Sequence, residues 1–160
     1  MEIVFITTGG TIDKVYFDAK SSYEIGEPQI GRILQNINAA FDHQIIALLR
    51  KDSLELNDAD RQLIRDTVLR QSARYIVITH GTDTMVETAK ALADIDDKVI
   101  VLTGALNPAR FADSDAMFNI GCAIGAVQRK SAGVFIAMNG RVWHPDEVRK
   151  NRSANRFEAV

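Results

Sequence analysis

Two short runs in this 160-residue sequence bring hydroxyls, glycines and a carboxylate close together. The first is Thr7-Thr8-Gly9-Gly10-Thr11-Ile12, which follows the apolar stretch that opens the chain. Adjacent glycines permit positive φ and let the backbone approach a ligand closely. Amides left free in such a loop can bind an anion or an oxyanion. Thr11, at the edge of the loop, is a candidate nucleophile, but a threonine hydroxyl attacks only with a base or an electrostatic partner. Without one, Thr11 is a turn residue bonding its own backbone. A phosphate-binding loop is the competing reading, yet neither a GxGxxG spacing nor a following Gly-Lys-Ser/Thr is present.

The second run is His80-Gly81-Thr82-Asp83-Thr84-Met85-Val86-Glu87. Thr84 and Glu87 have the spacing of a capping box, which predicts a helix starting at Thr84. That leaves Thr82 and Asp83 in a loop before a helix N-terminus, where anions such as a substrate carboxylate are favoured. Asp83 is open to a second reading as another capping residue. His80 reads either as a general base or as a residue that orients the loop through a backbone hydrogen bond.

The elements that must position these residues alternate. Strand candidates are Ile3–Thr7, Ile45–Leu49, Tyr75–Thr79, Val99–Leu102 and Val134–Met138, whose continuous apolar character suits strands covered on both faces. Helices are predicted at Asp58–Gln71, with Leu63, Ile64, Thr67 and Val68 on one face, and at Thr84–Ala93, with Met85, Ala89 and Leu92. A third, Met117–Val127, carries Ile120, Cys122, Ile124 and Val127, with Gly121 and Gly125 allowing close contact with a neighbour. These stripes read as core surfaces. The pattern predicts an α/β fold: an open, mostly parallel, doubly wound sheet with helices on both faces. Ligands in such sheets bind beyond the carboxyl ends of the strands, and both runs stand at such ends.

Composition narrows the function classes. Hydrophobic content of 46%, with 25% charged residues, is ordinary for a soluble globular protein. A net charge of −2 gives no basic footprint for nucleic acid. No apolar run approaches the roughly 20 residues of a membrane span. Met1-Glu2-Ile3-Val4-Phe5-Ile6 runs into a strand-like segment without a basic n-region, so no signal peptide is expected. The single cysteine, Cys122, cannot form an internal disulfide and reads as a small apolar side chain in a reducing, cytoplasmic setting.

Thr7-Thr8-Gly9-Gly10-Thr11-Ile12 resembles one signature of the bacterial-type L-asparaginases, and Thr79-His80-Gly81-Thr82-Asp83-Thr84-Met85 resembles the other. The likeness continues through Ser22-Tyr23-Glu24-Ile25-Gly26, Ser53, Thr103-Gly104-Ala105, Asp115 with Phe118-Asn119, and Met138-Asn139. It covers essentially the whole chain, 1–160, as a single domain similar to the family's N-terminal domain.

The resemblance implies Thr11 as primary nucleophile on a mobile lid and Tyr23 as the lid residue assisting it. It implies a second catalytic group of Thr82, Asp83 and Lys150. Ser53 matches the contact to the substrate's α-carboxylate and Asp83 the α-amine binder, with Gly10, Gly81, Thr82 and Ala105 also at substrate-binding positions. The implied reaction is hydrolysis of asparagine, or a related carboxamide, to the acid and ammonia, with no metal or organic cofactor. Oxyanion donors would come from backbone amides near Thr82 or Ala105. Lys150 would serve either as a neutral base or as a fixed positive charge.

The chain also departs from the family. Members continue into a second domain, whose acidic residue helps hold the α-ammonium group in a neighbouring subunit; these residues hold no counterpart. Leu54 follows Ser53 where members often place a polar residue, and the segment between Lys150 and Phe157 is shorter than usual. Either the substrate has no free α-amine, or another chain supplies the missing wall, or the sequence is a truncated product. The alternative to an amidohydrolase is a non-catalytic amino-acid-binding or interaction module on the same fold. An amidotransferase component acting on aminoacyl-tRNA is a third reading, which the near-neutral charge does not favour. The flank left by the second domain predicts a homodimer or larger homo-oligomer.

Overall fold

The computed structural model describes residues 1–160. In chain order the strands and α-helices are β1 (Glu2–Gly9), β2 (Lys14–Phe17), β3 (Ser22–Ile25), α1 (Ile30–Asn36), β4 (Asp42–Lys51), α2 (Asp58–Arg70) and β5 (Tyr75–Thr79). There follow α3 (Met85–Ala91), β6 (Val99–Thr103), α4 (Ala116–Arg129), β7 (Gly133–Met138), β8 (Arg141–Trp143), β9 (Val148–Asn151) and β10 (Arg156–Ala159). Six strands form one sheet in the order β4-β1-β5-β6-β7-β8. The first five of these are parallel to their neighbours, and β8 closes the far edge antiparallel to β7. The pairs β2-β3 and β9-β10 are separate antiparallel hairpins.

The sheet is doubly wound, as the alternation predicts. Ile3, Phe5, Val77, Val99 and Val101 face α1 and α4 on one side. Val4, Ile6, Ile76, Ile78, Ile100 and Leu102 face α2 and α3 on the other. Both sets alternate along the same strands, so β1, β5 and β6 read as unbroken apolar runs. Burying each such side chain contributes roughly 1.5–3 kcal/mol. No helix is long and apolar enough to cross a membrane.

All five predicted strands and all three predicted helices form, and four details differ. The strand holding Ile45–Leu49 is not covered on both faces: β4 is the sheet's edge and Ile45 is exposed. Leu63 lies outside the buried face of α2, which consists of Asp60, Ile64, Thr67 and Val68. Gly121 and Gly125 contact no neighbour; both face away from the sheet, with open space where a Cβ would stand. Thr84 precedes α3 but caps nothing with its side chain. Its hydroxyl donates instead to the Ser53 carbonyl at 2.7 Å. The helix capping box belongs to Asn57 and Asp60 at the start of α2.

The winding direction reverses between β1 and β5. From β1 the chain passes through α1 to β4 on one side, then returns through α2 to β5 on the other. A reversal of this kind leaves a crevice between the carboxyl ends of two adjacent strands. Both polar runs end there.

Candidate active site

The crevice is built by close backbone approach. Gly9 and Gly10 have φ of 101° and 86°, conformations that favour glycine. A Cβ on Gly10 would lie 2.5 Å from the Gly81 Cα, so the two loops touch main chain to main chain. Thr8 ties them further, its buried hydroxyl donating to the Thr79 carbonyl at 2.8 Å. The Gly10 amide is not free for a ligand; it donates to the Lys51 carbonyl at 3.0 Å. The amides of Gly81, Thr82 and Asp83, by contrast, take no part in the backbone hydrogen bonding.

Ser53 enters from beyond β4, buried, in a short 3-10 turn that starts with the Asp52 carboxylate accepting from the Leu54 amide. It packs on Gly81, where a Cβ would come within 2.7 Å of the serine Oγ. The Thr84 bond to the Ser53 carbonyl fixes this turn against the loop after β5.

Lys150 arrives on β9. Its register partner on β10 is Phe157, which is buried and whose amide donates to Asn139 Oδ1 at 2.7 Å. Held this way, Lys150 Nζ donates to Thr82 Oγ1 at 2.7 Å and to Asp83 Oδ1 at 2.6 Å. Both lengths suit charge-assisted bonds. Because the lysine donates to the Thr82 oxygen, the threonine's own hydrogen is free to point elsewhere.

A cavity of about 200 Å³ opens over these groups, with Gly10, Thr11, Ser53, Gly81, Thr82, Asp83 and Lys150 in its wall. Two residues singled out in the sequence stand apart. Ala105 is buried behind the wall, and its neighbour Leu106 lines the cavity instead. The Asp115 carboxylate holds that loop by accepting from the Leu106 and Asn107 amides, while Asn119 Nδ2 donates to the Gly104 carbonyl. Tyr23, on the β2-β3 hairpin, is half-exposed and packs edge-on against Tyr16 and Phe111 rather than lining the cavity.

Sequence reasoning missed Lys14, Asp52 and Asn155, which complete the wall. The strand-end rule points to Asp52, one residue past β4. Lys14 and Asn155 sit on hairpins with no strong pattern. No three His, Cys, Asp or Glu side chains come together as a metal-binding set.

His80 orients the loop. It is fully buried, with Nδ1 donating to the Gly81 carbonyl at 2.6 Å and Nε2 accepting from the Thr88 hydroxyl at 2.8 Å. Burial lowers its pKa to about 4, so the ring is neutral and both nitrogens are committed. Asp13, just behind Thr11, is also buried, and desolvation raises its carboxyl to about 6 despite the Gln29 amide donating to it.

Residues 2–160 match the protein-family model described as "Asparaginase, N-terminal", and the chain belongs to the asparaginase family. Escherichia coli L-asparaginase 2 is 31% identical to it, over 96% of this chain and 47% of that protein. A Haemophilus influenzae protein named probable periplasmic L-asparaginase is 32% identical, over 92% and 46%. Among solved structures, the thermostable L-asparaginase of Thermococcus kodakarensis superposes with a TM-score of 0.87 at 26% identity, covering all of this chain and 51% of that one. The probable cytoplasmic L-asparaginase of Campylobacter jejuni gives 0.81 at 27%, covering 99% and 51%. The chain thus spans about half the length of the relatives it matches.

Proposed function

We propose that this chain is an asparaginase-type amidohydrolase, hydrolysing the side-chain amide of asparagine or a related carboxamide with Thr11 as nucleophile. The observation that carries this reading is one cavity wall holding Thr11 beside the bonded Lys150, Thr82 and Asp83. The Thr11 hydroxyl attacks the amide carbon, the C–N bond breaks, and ammonia leaves with the hydroxyl proton. Water then hydrolyses the acyl-threonine ester, releasing the acid and restoring Thr11. The uncommitted amides of the Gly81–Asp83 loop are suited to stabilise the oxyanion of each tetrahedral intermediate. Lys150 supplies fixed positive charge beside Thr82, a role supported by its short bond to the Asp83 carboxylate. Ser53 and the Asp83 side chain orient the rest of the substrate, and Tyr23 assists once the β2-β3 hairpin closes over the cavity.

The outward placement of Tyr23 favours a second reading, a binding module on the same fold that holds an amino acid without turnover. Ammonia release from purified protein separates the two. Release abolished by Thr11→Ala supports the enzyme, and ligand binding without release supports the module.

We take residues 1–160 as one N-terminal-type domain that works as a homodimer or larger homo-oligomer. The exposed aromatics Tyr16, Tyr23 and Phe111, which pack on one another, support this, since a contiguous apolar surface favours burial against a partner. Sedimentation giving a monomer across concentration contradicts it. A cytoplasmic setting is supported by the lone Cys122 and by the likeness to the Campylobacter protein, although the Haemophilus relative is named periplasmic.

A further inference from the structure

Arg152 stands on the turn between β9 and β10, two residues past Lys150, and its Nε lies 3.5 Å from Asp83 Oδ1. The turn is held in shape locally. Asn151 Oδ1 accepts from the Ser153 hydroxyl at 2.8 Å and from the Ala154 amide at 3.0 Å. The Asn155 amide returns to the Arg152 carbonyl at 3.3 Å, with Asn155 at a φ of 49°. The same turn thus places Arg152 at Asp83 and Asn155 in the cavity wall.

The cavity has two carboxylates, Asp52 and Asp83, and an incoming ammonium group must reach one of them. Asp83 already faces two cations, Lys150 at 2.6 Å and Arg152 at 3.5 Å, both at Oδ1. Asp52 faces Lys14 Nζ at 3.8 Å and accepts from the Leu54 amide. Leu54, beside Ser53, is exposed and offers an ammonium nothing. In the cavity wall Lys14 and Lys150 balance Asp52 and Asp83, and Arg152, outside the wall but beside Asp83, adds one positive charge in excess. That excess repels an ammonium and attracts a carboxylate. The small volume limits the ligand to a short metabolite.

We propose that Arg152 sets the substrate class of this site: the second cation it adds beside Asp83 disfavours an α-ammonium group there and selects a carboxamide that carries a carboxylate but no such group, the monoamide of a short dicarboxylic acid. This rests on the amidohydrolase reading above for the reaction, and on the charge arrangement alone for the preference. The Arg152 side chain is 62% exposed, so water screens its effect and the discrimination it confers is about tenfold.

The test compares succinamate, which is asparagine without its amine, with asparagine itself. The protein prefers succinamate in kcat/KM. Arg152→Ser shifts the succinamate-to-asparagine ratio about tenfold toward asparagine, and Arg152→Lys keeps the wild-type ratio. A wild type that prefers asparagine, or a ratio that Arg152→Ser leaves unmoved, overturns the proposal. If neither amide is hydrolysed, the amidohydrolase reading fails, and calorimetry with the same two compounds decides the Arg152 claim. Tighter succinamate binding that Arg152→Ser reverses upholds it; no binding, or tighter asparagine, overturns it.

Discussion

Lys150 and Asp83, 67 residues apart in sequence, meet through an Nζ to Oδ1 hydrogen bond of 2.6 Å, and the same Nζ reaches Thr82 Oγ1. This contact draws the β9-β10 hairpin onto the loop after β5 and closes one side of the cavity. It also fixes a cation and a carboxylate together in a site only partly open to water.

Lys150→Met therefore has two separable consequences. Ammonia release falls by about 10³-fold or more, because fixed charge near the reacting amide is lost. Stability falls much less, because Asp83 keeps Arg152 and partial solvent access. Steady-state kinetics beside urea denaturation separates the effects; a variant that loses stability and activity in proportion contradicts the catalytic assignment.

Gly81 tests how tightly the crevice is built. A Cβ there would lie 2.6 Å from the Ser53 Cβ and 3.0 Å from the Ser53 amide. The Ser53 turn cannot easily retreat, since Thr84 holds its carbonyl. Gly81→Ala is expected to cost about 1–3 kcal/mol of stability through overpacking and to raise KM. Gly121→Ala, in open space on α4, should be neutral or stabilising by up to about 1 kcal/mol. Chemical denaturation of the two variants checks the contrast.

Those two glycines also show what was legible in the sequence. Apolar runs predict strands well when both faces are covered, which is why β1, β5, β6 and β7 stand where expected. The same signal misjudges β4, because an apolar run carries no information about whether a strand lies at a sheet edge. Helix α1 and both hairpins escaped because their patterns are short; Lys14–Phe17 and Ser22–Ile25 hold together by pairing with each other. The site was legible where the chain makes a dense local motif, as at Gly9–Thr11 and Gly81–Asp83. Lys14, Asn155 and Arg152 come from hairpins whose placement depends on tertiary contacts.

The misread capping box gives its own test. The sequence spacing pairs Glu87 with Thr84, yet the Thr84 hydroxyl bonds to Ser53 across 31 residues. Thr84→Val should cost about 1 kcal/mol and weaken substrate binding, while Glu87→Ala should leave stability within about 0.5 kcal/mol. Equal losses in both, by urea denaturation, restore the capping box.

Asp13 and His80 give the stability curve opposing slopes. Folding raises the Asp13 pKa from 3.8 to about 6, so the folded chain holds a proton that the unfolded one releases. Stability from this group is present at low pH and is lost as pH rises through that window. Folding lowers the His80 pKa from 6.5 to about 4, so stability from His80 is lost as pH falls through its window. Between about pH 4 and 6 the two slopes oppose each other. Asp13→Asn removes one of them and keeps an acceptor for the Gln29 amide. The variant should gain on the order of 2 kcal/mol near pH 8, and its stability should climb with pH from about 4 to 6.5. Denaturation at several pH values reads this directly; a variant no more stable than wild type near pH 8 contradicts it.

The central claim is that Thr11 is the nucleophile of an amide-hydrolysing site. The most direct measurement is ammonia release from asparagine, glutamine and succinamate by wild type and Thr11→Ala, with folding verified by circular dichroism. The wild type is expected to release ammonia from at least one amide, reduced about 10³-fold or more in Thr11→Ala. Release that survives the substitution, or a folded wild type that frees no ammonia from any of the three, contradicts it.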